Sequence, residues 1–302
     1  MSWLVLAFSG PILWAASTHM DKYLVERYFK DSDVAVLLIF TALIGMITLP
    51  LIWLLDPKVA GVGIVNAALM ALSGILYMGG MLFYLQALQS EEASAVAPFF
   101  QAAPLFGFVL GYVVLGEILS PTQMAGGALI VGGTVLVSLR PGRRRTRFNF
   151  RLAALMLACA LSLAVSSLIF KLFALRDDFW PTTFWMFVGE ALFGAALLAI
   201  PSYRRQFRDL LRSNPGAVLS VNAANELINL GGGLGSRFAL TLAPLSLVQA
   251  IGSTTTLFVF VFGVVLSVCC PTLGRENLSR RDLLHKGLAA VLVAAGAAMV
   301  SR

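Results

Sequence analysis

The sequence predicts an all-α membrane protein, with about ten transmembrane helices arranged as two inverted five-helix repeats. Three observations predict it. Of the 302 residues, 59% are hydrophobic and only 12% are charged, where a soluble domain carries about 25%. Long apolar runs follow one another with short polar joints between them. The second half of the chain also echoes the first in order, at a nearly constant offset of about 150 residues.

The spans follow from the length rule of about 20 apolar residues per crossing. They fall near 2–20, 34–55, 63–88, 94–115, 121–139, 152–175, 181–200, 216–241, 245–268 and 285–301. The joints carry Pro, Gly or charge, as at Asp56-Pro57-Lys58, Gly116-Glu117, Asp177-Asp178 and Ala243-Pro244. Short joints force successive spans to be antiparallel neighbours. No charge precedes the first run and no small-x-small site follows it, so residues 2–20 read as a span and not as a cleaved leader. Strands are excluded because lipid cannot satisfy open sheet edges and the period-2 alternation of a barrel is absent.

The net charge of +7 does not mark a nucleic-acid binder. The basic residues form short clusters between apolar runs, the pattern of cytoplasmic loops. The clusters are Lys22, Arg27 and Lys30; then Arg140 through Arg151; then Arg204, Arg205, Arg208 and Arg212; then Arg275, Arg280, Arg281 and Lys286. The opposite side carries only Lys58, Lys171, Arg176, Arg237 and Arg302. This bias places the basic loops inside and both termini outside, at the cytoplasmic (inner) membrane. Cys159, Cys269 and Cys270 give neither a metal-binding spacing nor a disulfide framework. No metal or cofactor is expected.

The halves meet at a basic linker, 140–151, which divides repeats 1–139 and 152–302. Trp14-Ala-Ala-Ser-Thr-His-Met-Asp-Lys22 matches Leu163-Ala-Val-Ser-Ser-Leu-Ile-Phe-Lys171. Ala87-Leu88 and Ser94 match Ala239-Leu240 and Ser246, and Glu117-Ile-Leu-Ser120 matches Glu276-Asn-Leu-Ser279. Five spans is an odd number, so the second unit must enter the membrane inverted. Inverted repeats suit alternating access, because two similar halves of opposite orientation make two states of similar energy.

These residues carry a resemblance. Tyr84-Leu-Gln-Ala-Leu-Gln, Ser94-Ala-Val-Ala-Pro98, Pro104, Gly116-Glu117-Ile-Leu-Ser120, Gln123 and Gly126…Gly132 resemble the EamA-type half of the drug/metabolite transporter superfamily. Ala239-Leu240, Ala243-Pro244-Leu-Ser-Leu-Val-Gln249, Glu276-Asn-Leu-Ser279 and Gly287…Gly296 form the second copy. The resemblance implies a ten-helix basket whose first four spans per half surround a central pathway. It implies a secondary transporter of small organic metabolites or drugs, working by alternating access, with export the commoner direction. It also implies cytoplasmic termini, against the charge count.

The candidate pathway residues are polar groups at membrane depth, where an ionisable group costs at least roughly 2.5–3.5 kcal/mol on insertion scales. Glu190 interrupts Phe187-Val-Gly-Glu-Ala-Leu-Phe193. Asn222, Asn225, Glu226 and Asn229 share one helical face by their spacing. Such a stripe is either a substrate or proton site, or a hydrogen-bond clamp between helices. In spans four and nine, Ser94, Ala97, Gln101 and Pro104 and their counterparts Ser246, Gln249, Ser253 and Thr256 form a second candidate face, with ordinary packing of small and polar residues as the alternative. Pro98 and Pro104 predict a kink in span four. Gly231-Gly232-Gly233 predicts either close helix contact or local unwinding. The glycines of span five and the small residues of span ten suit peripheral packing or a homodimer contact. His19, Asp21 and Lys22 read as interfacial, and Glu117 and Glu276 as dipole partners of the helices they precede.

Nothing marks an enzyme: only His19 and His285 are present, and no HExxH, paired Asp or Ser/His arrangement occurs. A lipid-linked carrier flippase, or a membrane receptor or assembly protein without transport, are the alternatives. The expected partners are a small-molecule substrate and the bilayer, and no nucleic acid.

Overall fold

The computed structural model describes residues 3–27, 33–90, 99, 102–138, 150–213, 215–269 and 280–300. Among these every regular element is helical. The helices are α1 (Trp3–Arg27), α2 (Ala35–Leu55), α3 (Ile64–Ser90), α4 (Ala102–Leu115), α5 (Pro121–Ser138), α6 (Phe150–Arg176) and α7 (Phe179–Ala199). They continue as α8 (Pro201–Ser213), α9 (Pro215–Leu242), α10 (Leu245–Gly252), α11 (Thr255–Cys269) and α12 (Arg280–Val300). A short 3-10 turn, Pro57–Gly61, joins α2 to α3.

Local chemistry sets the helix ends. Asp33 caps α2 by accepting the Ala35 N–H at 2.9 Å. Ser120 and Gln123 form a reciprocal capping box at α5, Ser120 Oγ accepting the Gln123 N–H at 3.2 Å and Gln123 Oε1 accepting the Ser120 N–H at 3.0 Å. Pro121 occupies the first position of α5, where no N–H is needed. Between α10 and α11 the span breaks. There Ser253, Thr254 and Thr255 each donate a hydroxyl to the carbonyl three residues back. Pro104 lies in the first described turn of α4. Ser94, Ala97, Pro98, Gln101, the linker 140–149 and Glu276 lie outside the described residues, as do the side chains of Lys22 and His285.

By length and composition, five described helical stretches are apolar enough to cross a membrane, 35–55, 64–87, 150–176, 179–199 and 245–267. Two shorter apolar helices, 102–115 and 287–300, accompany them. The outward surface is correspondingly greasy: Leu54, Leu55, Val113, Leu192 and Val291 are all exposed. This is a multi-pass membrane fold.

Small residues bring the helices together in antiparallel pairs. Gly10 on α1 faces Gly232 on α9, while Ser9 meets Gly235. Gly74 on α3 abuts the Met186 carbonyl of α7, and Gly189 abuts the Ala71 carbonyl. Backbones this close leave no room for a Cβ on either glycine. Ser73 and Gly80 on α3 meet Ser166 and Leu163 on α6. On α5, Gly126 faces Gly296 of α12 and Gly133 faces Ala289, so these glycines serve a contact within the chain. α9 stays helical through Gly231, Gly232 and Gly233; close contact, not unwinding, is their use.

One element was not legible as a span. α8 carries Arg204, Arg205, Arg208 and Arg212 on its exposed side and turns Phe207, Leu210 and Leu211 onto Leu24, Val36 and Phe40. It is an amphipathic helix packed on the end of the bundle.

Candidate functional site

The polar side chains of the interior gather around α9. Its stripe is hydrogen-bonded to the first half of the chain. Thr41 of α2 donates to Glu226 Oε1 at 2.9 Å, and Asn225 Nδ2 donates to Asp21 Oδ1 of α1 at 2.7 Å. Ser17 also bonds Asp21, and Asn229 bonds Glu226. Asn222 is buried on the same face. Asp21 is therefore part of this network. The amide oxygen of Asn225, a residue only 1% exposed, is left without a partner. His19 contacts the Val259 carbonyl of α11 at 3.0 Å.

Glu190 sits on α7, 2% exposed, and Oε1 accepts from Arg237 Nη2 of α9 at 2.9 Å. The guanidinium lies between two rings, 5.1 Å from the Phe187 centroid and 5.6 Å from that of Tyr77. A buried carboxylate needs such a partner, since an unpaired charge in low dielectric is strongly unfavourable. Glu226 and Asp21 lie within electrostatic range of each other, and Glu190 within range of Glu226. Three carboxyl groups and one guanidinium thus share the heart of the bundle.

Beside Arg237 is a small cavity of about 70 Å³. Trp14, Tyr77 and Phe170 supply aromatic wall, Ser166, Ser167 and Ser236 supply hydroxyls, and Arg237 supplies the charge. Its walls come from α1 and α3 in the first half and α6, α7 and α9 in the second. An aromatic lining with a few convergent polar groups is the usual chemistry of a small-molecule site, although such sites open to about 300–1,000 Å³. A wider depression of about 350 Å³ near Lys58, Asn66, Asp177 and Asp178 is more open and lies where helices end.

A second buried ion pair joins the halves. Lys171 of α6 pairs with Glu117 Oε1 at 2.5 Å and donates to the Ala243 carbonyl at the end of α9. Glu117 Oε2 accepts the Leu245 N–H, the first of α10, at 2.8 Å. Glu117 thus serves the N-terminus of a helix in the other half, not that of α5, the helix it precedes. Gly116, at φ 65°, makes the turn that delivers it.

The remaining candidates fall elsewhere. Gln249 packs on Gly107 of α4, its Oε1 buried without a partner. Ser253 closes on its own helix. Thr256 is half-buried on α11. None of these three lines the cavity. The charge distribution alone counts Arg237 and Lys171 as loop residues; Lys171 is buried and Arg237 half-buried among helices, and the signal for them is a lone cation inside an apolar run. Tyr77 carried no sequence signal beyond its place in span three.

A bundle of apolar helices around an internal polar site defines a multi-pass membrane protein. Residues 1–139 match the EamA-like transporter family, in agreement with the resemblance to the drug/metabolite transporter superfamily. A solved crystal structure of a protein with 16% sequence identity aligns over 98% of this chain and 95% of its own, at a TM-score of 0.69. At that identity the likeness is one of fold. No curated protein matches the sequence significantly.

Proposed function

We propose that the chain is a secondary transporter that carries a small organic molecule across the cytoplasmic membrane by alternating access. Its units would be 1–139 and 152–302, inverted relative to one another, with the basic loops in the cytoplasm. The observation that carries the reading is the aromatic cavity beside Arg237, built jointly by helices of both halves. Two supports stand beside it: the antiparallel pairing of α1 with α9 and α3 with α6, and the EamA-like match over the first half. The carboxyl cluster of Asp21, Glu190 and Glu226 is the means of proton coupling.

The test begins with thermal stabilisation of the purified full chain by a panel of amino acids, sugars, nucleotides, lipids and amphipathic drugs. A ligand that binds only the folded state raises apparent stability by mass action. A hit should show counterflow in proteoliposomes and lose affinity in Phe170→Ala. Glu226→Gln should fold normally and lose pH-driven flux. Stabilisation by lipid head groups alone would replace the reading with a flippase. A folded sample that binds nothing and moves nothing would overturn it.

A further inference from the structure

Arg237 has two claims on it. One Nη2 proton bonds Glu190, and the same head group is the only charged wall of the aromatic cavity among the described residues. A guanidinium has five N–H donors in a fork that matches a planar or tetrahedral oxyanion. Glu190 lies behind Arg237 and does not line the cavity. A neutral or cationic ligand would meet a positive wall, while an anionic one would meet its complement.

We propose that the cavity takes an organic anion with an aromatic or flat apolar body, and that its anionic group exchanges with Glu190 on Arg237. The inference rests on the transporter reading and names its substrate class. The charge balance follows from burial. Empty, the pair of Arg237 and Glu190 is neutral. When the anion takes the guanidinium, Glu190 loses its counter-ion in a water-poor interior and binds one proton. Anion and proton enter together, so the loaded site is again neutral and no covalent bond is made or broken. Trp14, Tyr77 and Phe170 receive the apolar body, and Ser236, one residue before Arg237, offers a hydroxyl to the head group.

The groups facing Glu190 are consistent with this exchange. From α9 come Arg237 and, further along, Glu226; from α3 comes Tyr77; α2 presents Gly45, which brings no charge. Asp21 of α1 lies beyond Glu226. Among the described residues Arg237 is the cation that acts on Glu190 and the neighbouring carboxyls are negative or neutral, so no other described group holds Glu190 ionised once the anion arrives. Co-binding makes the cycle a symport, in which an inward proton gradient drives uptake. That direction is opposite to the export commonest among proteins of this resemblance.

The probes are benzenesulfonate, which stays anionic at every working pH, its neutral analogue benzenesulfonamide, and the cation phenethylammonium. Binding is followed by thermal stabilisation of the full chain between pH 5 and pH 9. Benzenesulfonate should stabilise the wild type, and its affinity should fall as pH rises, by up to about tenfold per pH unit where one proton is co-bound. Glu190→Gln, which frees Arg237 permanently, should bind the anion with little pH dependence. Arg237→Gln should lose the anion, and the double variant Glu190→Gln/Arg237→Gln, in which no buried charge is orphaned, should lose it while folding normally. Preference for the cation or the amide, or anion binding indifferent to pH in the wild type, would overturn the proposal while leaving a transporter in place. Silence towards all three probes overturns it too, and the wider panel then decides the transporter reading separately.

Discussion

Replacing Lys171 by Met tests whether the buried pair with Glu117 clamps the two halves together. The ammonium is 2.5 Å from Glu117 Oε1 and also bonds the Ala243 carbonyl, with side-chain exposures of 7% for Lys171 and 14% for Glu117. Met fills the volume of the stem but leaves the carboxylate with a single partner, the Leu245 N–H at 2.8 Å. Removing one member of a buried pair costs about 3–5 kcal/mol, and the surviving N–H bond puts this case at about 3. For a chain of this size that is a fall of roughly 6 °C or more in apparent melting temperature. The assay is fluorescence-detected thermal aggregation in detergent at neutral pH. Glu117→Gln/Lys171→Met should recover most of the loss, because no orphaned charge remains. A single variant within about 1 °C of wild type, or single effects that simply add, would refute the clamp.

Two further outcomes follow from the close helix contacts. Gly189→Ala puts a methyl into the Ala71 carbonyl and must push α3 from α7, costing about 1–3 kcal/mol or more in thermal stability; an unchanged melting temperature would show that the crossing is looser than described. Ser9→Cys/Gly235→Cys joins α1 to α9, where the two Cβ positions are 3.2 Å apart, close to the about 3.5–4.5 Å of a disulfide. Oxidation should leave flux intact if these helices move as one body, and flux lost on oxidation and regained on reduction would show that they separate.

The sequence was most informative where physics leaves few choices. Apolar runs of bilayer length can only be helices, so most spans were placed within a few residues, and the Asn222–Asn229 stripe was visible from its spacing alone. Partners were not legible. Asp21 looked interfacial because it closes an apolar run, yet α9 brings Asn225 to within 2.7 Å of it. Arg237 and Lys171 were hidden by the loop count, since both lie near the ends of their spans and the count cannot tell a loop cation from a paired one. Glu117 was placed correctly in the chain but assigned to the wrong helix, because its partner at Leu245 comes from the far half. α8 was read as a basic loop; its Phe207, Leu210 and Leu211 gave the helical period that a span search passes over.

The arrangement of the bonds says which contacts a transport cycle can break. α9 is held to α1 by glycine contact and by Asp21–Asn225, and to α2 by Thr41–Glu226. α3 and α7 meet backbone to backbone at Gly74 and Gly189, a contact with no adjustable side chain in it. What links α9 to α7 at the cavity is of another kind: the ion pair of Arg237 with Glu190, near the Phe187 and Tyr77 rings, beside an edge-on contact of Phe238 with Phe179. Dispersion contacts between backbones are lost steeply with separation and are regained only in register. An ion pair can be exchanged at nearly constant energy, provided a ligand charge and a proton replace what is removed. The seam between α7 and α9 is therefore the one whose opening a ligand can offset, and the rigid crossings on either side are what would turn that local exchange into a change of access.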